Sequence, residues 1–456
     1  MFELESASVL VSVVVLICYA IGRWLIRQRK KCFEAFEGTG VPSPPLRSLI
    51  NGNTDEFLKP SQIESLGRWL KEYGDVFGFH LGDIPFVVVK DPEMISEIFA
   101  KEFNNFNDRG HLLRIHEFEP ILERNIVLIG GRQWKATRTC MQQFFTPAKL
   151  KVVMPALLDA QREFLNILGE GADSGVEMDI GSRCERFTFD VISKSGFNLD
   201  TQVQRSPDNP LFQKALRCFP GIMSGFMYSL ALNLYHWPRV FKMLHKLFGY
   251  FFTNPLVEMT KYAAEIIKFR HQNPQVDVPD MAQLLLDDAL GKSNSETKKN
   301  EVPQTNAVPL SQEKLYELST NCMDVFLGGS TTRCAAEDYR YGKYLIKKGT
   351  SVMVPTYQLH HDPLYWTDPE KFDPDRFSPE NKHLIKPGVY QPFGLGIRAC
   401  IGQRLALLEM ASVTSQVLGR FRITHGPSQK LPRKTPPLPR APPLTSRQNK
   451  RRNPSS

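Results

Sequence analysis

No Cys-x-x-Cys pair occurs in the 456 residues, and the eight cysteines (18, 32, 140, 184, 218, 322, 334 and 400) are scattered along the chain. That excludes zinc-finger spacing and the disulfide framework of a small secreted domain, and it points to a reducing compartment. Acidic residues are absent after Glu409, whereas residues 427–456 alone carry eight Lys or Arg. The net charge of +9 therefore belongs mostly to this tail, and without it the body is nearly neutral, so nucleic acid is not an expected partner. Aromatics end at Phe421, and eight prolines follow His425. A basic, proline-rich segment at 427–456 cannot bury enough surface to fold and is expected to be disordered. It suits anionic lipid; a change of reading frame or of splicing would equally produce such a tail. The adjacent His360 and His361 lack a third ligand, so a polar turn is expected there and not a metal site. The whole chain is 42% hydrophobic and 11% aromatic, enough for a large core.

The chain begins with one long apolar run, Val9 to Ile21 broken only by Ser12, continuing through Trp24, Leu25 and Ile26. Its length is about that of a single bilayer-spanning helix. Glu3 and Glu5 precede it, while Arg23, Arg27, Arg29, Lys30 and Lys31 follow. The positive-inside rule puts the rest of the chain in the cytosol. Neither a basic start nor a small-residue cleavage site is clear, so residues 1–31 are expected to be a retained membrane anchor. Pro42, Pro44 and Pro45 stiffen a hinge over 32–60. Residues 76–89 predict a hairpin turning at Gly82-Asp83, and 92–101 a helix. Residues 148–290 predict long amphipathic helices such as Phe187–Ser195 and Val257–Phe269, and 291–309 a solvated connector.

The stretch that organises the chain is Phe393-Gly394-Leu395-Gly396-Ile397-Arg398-Ala399-Cys400-Ile401-Gly402. Leu405, Leu408, Ala411 and Val413 then recur at near-helical spacing, so Cys400 lies just before a helix N-terminus, where the macrodipole favours an anion. Gly394 and Gly396 allow a tight turn and close approach of the backbone to a flat ligand. Arg398 offers a fork of donors suited to a carboxylate. A thiolate on a bare backbone with a carboxylate receptor beside it suits axial ligation of haem iron, with Arg398 meeting a propionate. Trp134 and Arg138, four apart, share one helical face. Taken alone they read as a packed indole and a solvated guanidinium.

The ten-residue stretch resembles the haem-binding signature of the cytochrome P450 family, Phe-Gly-x-Gly-x-Arg-x-Cys-x-Gly, at every fixed position. Beside it, Trp134 and Arg138 resemble the family's Trp-x-x-x-Arg motif, whose side chains hold a propionate, and Arg109 falls where membrane-bound relatives place another propionate contact. The resemblance extends to about residue 425 and is strongest to the microsomal branch that includes steroid and drug oxidases and thromboxane synthase. It implies a mainly α domain with small β-sheets over 61–426, haem b, NADPH electrons from a flavoprotein reductase, and insertion of one oxygen atom into a small hydrophobic substrate at the endoplasmic reticulum membrane. In such relatives the region of Phe219–Leu234 touches the bilayer; read by itself, that run equally suits ordinary core.

Two departures stand out. Leu315, Leu318, Cys322 and Val325 lead into Gly328-Gly329-Ser330-Thr331-Thr332, which resembles the family's oxygen-activation helix; Thr332, or Thr331 with a one-residue shift, holds the hydroxyl place, but no acid precedes it. Immediately afterwards, residues 334–377 resemble a much later part of the family. The rest of the threonine helix and three further helices, about fifty to seventy residues, are expected to be missing. With them goes the Glu-x-x-Arg motif that partners Arg376. The literal Glu337-Asp338-Tyr339-Arg340 lies in the wrong segment and is expected to be a coincidence. Such a chain would be a monooxygenase or, alternatively, an impaired variant competing for membrane partners.

Overall fold

The structure is a computed structural model that describes residues 2–59, 61–110, 119–222, 226–248, 255–273, 280–290, 310–323, 332–426 and 445–450; for 2–15, 18, 120, 219–222, 322, 323 and 445–450 it describes the backbone alone. Two compact units emerge. One comprises Met1–Leu112, Ser229–Leu244 and Thr331–Pro392; the other comprises Leu113–Tyr228, His245–Ser330 and Phe393–Ser456.

In chain order the helices are α1 (Phe2–Cys32), α2 (Thr54–Leu58), α3 (Gln62–Tyr73), α4 (Pro92–Ser96), α5 (Gly131–Gln142), α6 (Pro147–Ser174), α7 (Ile180–Phe197), α8 (Pro210–Ile222), α9 (Phe226–Asn233), α10 (Pro238–Phe248), α11 (Pro255–Gln272), α12 (Met281–Ala289), α13 (Gln312–Met323), α14 (Thr356–His360) and α15 (Gln403–Arg420). The strands are β1 (Val76–Leu81), β2 (Ile84–Val89), β3 (Met178–Asp179), β4 (Thr332–Cys334), β5 (Tyr339–Tyr341), β6 (Tyr344–Ile346), β7 (Ser351–Met353), β8 (Phe421–His425) and β9 (Thr445–Lys450). The fold is thus mainly α with small β-sheets, as the sequence predicts.

The first unit is built on a four-stranded sheet ordered β1-β2-β7-β4. β1 and β2 form the predicted hairpin, with Leu81 opposite Ile84. Gly82 turns it at φ +64°, and a Cβ there would stand 2.3 Å from the Leu232 carbonyl oxygen, so the turn admits only glycine. Both strands are buried along their whole length. The second covered face accounts for runs such as Phe86-Val87-Val88-Val89. β2 pairs in parallel with β7, through Phe86 to Val88 against Ser351 to Met353. The expected helix at 92–101 is present as α4 continued by a π turn over Glu97–Lys101.

A 31-residue helix, α1, does begin the chain. Among the described residues, however, no helix is long and apolar enough to cross a membrane. The side chains of the first fifteen residues lie outside the description, and the described remainder carries Arg23, Arg27, Arg29, Lys30 and Lys31. Arg29 fixes its end: one nitrogen, Nη1, meets Asp83 Oδ2 at 2.5 Å and the Asn233 carbonyl at 2.6 Å, and Nε donates to the Leu49 carbonyl at 2.7 Å. Asp83 is fully buried, and its other oxygen accepts from the Tyr235 backbone at 3.0 Å.

The second unit is a helical body with the small sheet β3-β9-β8. α6 starts at Pro147 behind a Thr146 cap and stops at Gly175, which adopts the left-handed conformation. Its face packs with α7 and α15 through Leu157, Phe164, Leu168, Phe187, Val191 and Val417. Gln161 of α6 also exchanges two hydrogen bonds with Ser412 of α15, at 2.7 and 3.2 Å. Phe187–Ser195 and Val257–Phe269 are helical as expected. Within Phe219–Leu234, Phe226 is 56% exposed while Ala231 and Leu232 are buried, so the described part is neither pure core nor pure surface. The connector at 291–309 lies outside the described residues. So do 427–444 and 451–456, but residues 445–450 correct the expectation of a wholly disordered tail. They form β9, pairing antiparallel with all five residues of β8 and with β3. Ladder bonds between backbones need no apolar side chain, which is why composition alone does not reveal this strand.

Arg270 of α11 and Asp280, the cap of α12, are 6% and 3% exposed and meet through two bonds at 2.5 and 2.6 Å. Burial raises the Asp280 carboxyl above its ordinary pKa even beside Arg270. The pair's net gain is therefore modest, but removing one partner strands a buried charge. Asp280→Ala is expected to cost about 3–5 kcal/mol, read as a lowered urea midpoint.

Candidate functional site

The cysteine loop owes its shape to two glycines. Gly394 and Gly396 sit at φ +78° and +72°, left-handed positions that a side chain would strain. The Cys400 N–H donates to the Phe393 carbonyl at 2.8 Å and closes the loop, inside which Gly396–Arg398 makes a 3-10 turn. Cys400 is exposed, and α15 starts three residues later with Gly402 at its cap. Of the predicted apolar stripe, Leu405 is buried, and Leu408 and Val413 pack on the core shared with α6.

α5 brings Trp134 and Arg138 to this loop. Trp134 is 3% exposed, with the Arg398 guanidinium 4.3 Å from its ring centroid and that of Arg138 at 5.5 Å. Arg398, itself 3% exposed, donates from Nη2 to the Ile129 carbonyl at 2.7 Å. Arg138 donates to the Ala399 carbonyl at 2.8 Å, one residue before the cysteine. Burial lowers the Arg138 pKa from its ordinary value, and Cys400 opposes that shift. Arg138 is thus a loop anchor and not the solvated arginine that spacing alone suggests. Two desolvated cations about one indole, beside a presented thiol, form a donor set that fits a dianionic, thiolate-ligated macrocycle such as haem.

The other candidates lie in the first unit. Thr332 is not on a helix. It opens β4, pairs with Met353, is 1% exposed, and its hydroxyl has no hydrogen-bond partner among the described residues. The junction explains this: residues that belong to a sheet edge follow Thr332 at once and draw it into the strand. Thr331 lies outside the described residues, as do the side chain of Cys322 and all of Val325; Leu315 and Leu318 of α13 are buried as expected. Arg109 follows Asp108, whose carbonyl accepts from the Cys334 N–H at 3.0 Å beside β4. Sequence reasoning passes over Arg333, which is 2% exposed with its guanidinium 5.1 Å from the Phe99 ring centroid. Nothing in its spacing sets it apart from a surface arginine.

Arg376 donates to three carbonyls, of Thr367, Asp368 and Lys371, at 2.5, 2.8 and 2.9 Å, and makes no salt bridge among the described residues. It borders a 410 Å³ cavity with Trp366, Phe377 and Tyr390, where Phe372 is 92% exposed. Glu337 and Arg340 are exposed in a bend and in β5, off any helix, consistent with a coincidental motif. His360, at the end of α14, accepts from the Gln391 N–H at 3.1 Å, and His361 just after it bonds the Tyr357 carbonyl at 2.8 Å.

A sequence model of the cytochrome P450 family matches residues 42–332 and 326–446. The chain belongs to the cytochrome P450 family. The two matches overlap at 326–332, where the sequence predicts the missing helices, and so break at the same junction. This P450 is similar to lithocholate 6-beta-hydroxylase of Mesocricetus auratus, at 27% identity over 85% of this chain and 86% of that one. It is similar to cytochrome P450 3A18 of Rattus norvegicus, at 27% over 88% and 89%, and to thromboxane-A synthase of Sus scrofa, at 25% over 88% and 89%. The first of these alignments runs over 456 positions while using only 85% of this chain, so a sizeable gap opens in it. Family membership brings haem, and in microsomal members NADPH electrons delivered by a flavoprotein reductase.

Behind the loop, Glu409 of α15 is 8% exposed, and burial raises its carboxyl pKa although Thr188 of α7 donates to it. A raised folded-state pKa means that its contribution to stability is intact below the ordinary carboxylate range and is lost as pH rises through the raised value. Glu409→Gln keeps an acceptor for Thr188 and removes the charge. The variant is expected to melt a few degrees higher at pH 7 and to match the parent near pH 4, as thermal midpoints across that range will register.

Proposed function

We propose that this P450 is a haem-thiolate monooxygenase that inserts one oxygen atom from O₂ into a small hydrophobic substrate at the endoplasmic reticulum membrane, using reductase-delivered electrons. The observation that carries the reading is the Cys400 thiol, presented on a glycine-bent loop whose neighbouring carbonyl is held by Arg138. Cys400 Sγ would ligate the haem iron. Arg398, Arg138 and Trp134 would hold the propionates, and Phe393, Gly394 and Gly396 shape the loop; Arg109 as a further propionate contact rests on family resemblance. When bound, haem with a thiolate ligand supplies the redox chemistry that cleaves dioxygen, while the chain orients substrate and routes protons. Cys400→Ala removes the ligand lone pair and is expected to abolish the thiolate-type spectrum of the reduced, CO-treated protein. A retained spectrum would mean that a different cysteine is the ligand.

A second reading is favoured by Thr332 and Arg376. A hydroxyl buried in a strand cannot serve the helical proton relay expected of it, and Arg376 spends its donors on carbonyls. Under this reading the chain holds haem poorly and competes for membrane partners. Grafting a relative's missing helices between Thr332 and Arg333 restores the partners of Arg376, a buried network in which breaking one pair costs about 3–5 kcal/mol. Haem content per chain and the thermal midpoint are both expected to rise; equal values in the two proteins would exclude impairment by the deletion.

A further inference from the structure

Away from the cysteine site, the first unit holds a cavity of about 580 Å³ at the foot of α1, a volume within the usual range for small-molecule sites. Four stretches distant in sequence line it: residues 31–37, Pro85, Tyr235 with His236, and residues 347–350. Among the lining residues are three lysines, Lys31, Lys347 and Lys348, and two glutamates, Glu34 and Glu37. Among the described residues these opposite charges form no salt bridge, with each other or with any neighbour. Lys347 Nζ is instead held by the backbone carbonyls of Glu34 and Glu37 at 3.5 and 3.3 Å, which leaves one of its three donors for the cavity.

Residues of both signs around one cavity, unpaired with each other among the described residues, suit a ligand that carries both signs. We propose that this cavity binds a zwitterionic phosphodiester of the phosphoethanolamine class, the headgroup of a bilayer phospholipid. The phosphate lies on the lysines through charge-assisted hydrogen bonds, and the primary ammonium lies on Glu34 and Glu37. The same unit points to the lipid source. Leu16, Ile17, Ile21, Trp24 and Leu25 of α1 are exposed, and Trp24 packs with its ring centroid 6.3 Å from that of Trp237, next to the cavity residue His236. Tryptophans of this kind favour the headgroup level of a membrane. The lipid source rests on the membrane placement proposed above; the charge arrangement does not.

The test titrates full-length protein in a neutral detergent with sn-glycero-3-phosphoethanolamine, inorganic phosphate and ethanolamine by calorimetry, then measures binding to phosphatidylcholine vesicles with and without phosphatidylethanolamine. One saturable site for glycerophosphoethanolamine is expected, with either fragment weaker by about tenfold or more. The double variant Lys31→Gln, Lys348→Gln should lose about tenfold in affinity for the phosphodiester. Glu34→Gln with Glu37→Gln should weaken the phosphodiester without weakening phosphate, since it removes only anions. All four side chains are exposed, so circular dichroism is expected to be that of the parent. The absence of a saturable site, an unchanged lysine variant, or phosphate binding as tightly as the phosphodiester overturns the proposal. Equal binding to both kinds of vesicle overturns the lipid source. None of these outcomes touches the CO spectrum, so the cavity and the haem reading fail or survive separately.

Discussion

The indole of Trp134, with two guanidinium groups close to its ring, is the constraint on which the cysteine site depends. Each arginine is desolvated, and each donates to a backbone carbonyl: Arg138 to Ala399 inside the loop and Arg398 to Ile129 just before α5. The helix and the loop are thereby stitched in both directions, once from each side. Stacking on a ring face lets a guanidinium keep its in-plane donors for these bonds, an arrangement that lysine could not reproduce. The loop's own closure, from Cys400 to Phe393, then leaves the thiol facing outward without further support.

How much of this could be read from the sequence differs from residue to residue. The cysteine loop was legible because its requirements are local: positive φ at two glycines and a helix immediately after. The hairpin at 76–89 was legible for the same reason. Arg138 was misread when taken alone, because four-residue spacing fixes a helical face but not what covers that face. Arg333 and β9 were illegible. The first is buried by segments hundreds of residues away or across a junction, and the second is held by backbone bonds that leave no trace in side-chain periodicity. The N-terminal helix was legible as a helix; whether a helix crosses a bilayer depends on surroundings that its own residues do not contain.

The junction at Thr332 shows local pattern yielding to tertiary context. Glycine, serine and threonine before it resemble the family's helix, yet the three residues from Thr332 pair antiparallel with β7. A strand that completes a sheet edge satisfies backbone donors and acceptors at once, whereas a helix cut short has no following turn to satisfy its carbonyls. The sheet therefore takes the threonine.

Both units are assembled from pieces far apart in the chain, and this sets an order in time. The parallel pairing of β2 with β7 cannot form until the ribosome has made residue 353, and α6 and α7 wait for α15 and β8, which are made much later. Pairings of such long sequence separation close slowly. Until then the apolar faces of α6, α7 and the hairpin wait uncovered, which makes the interval before closure the period of greatest exposure to aggregation.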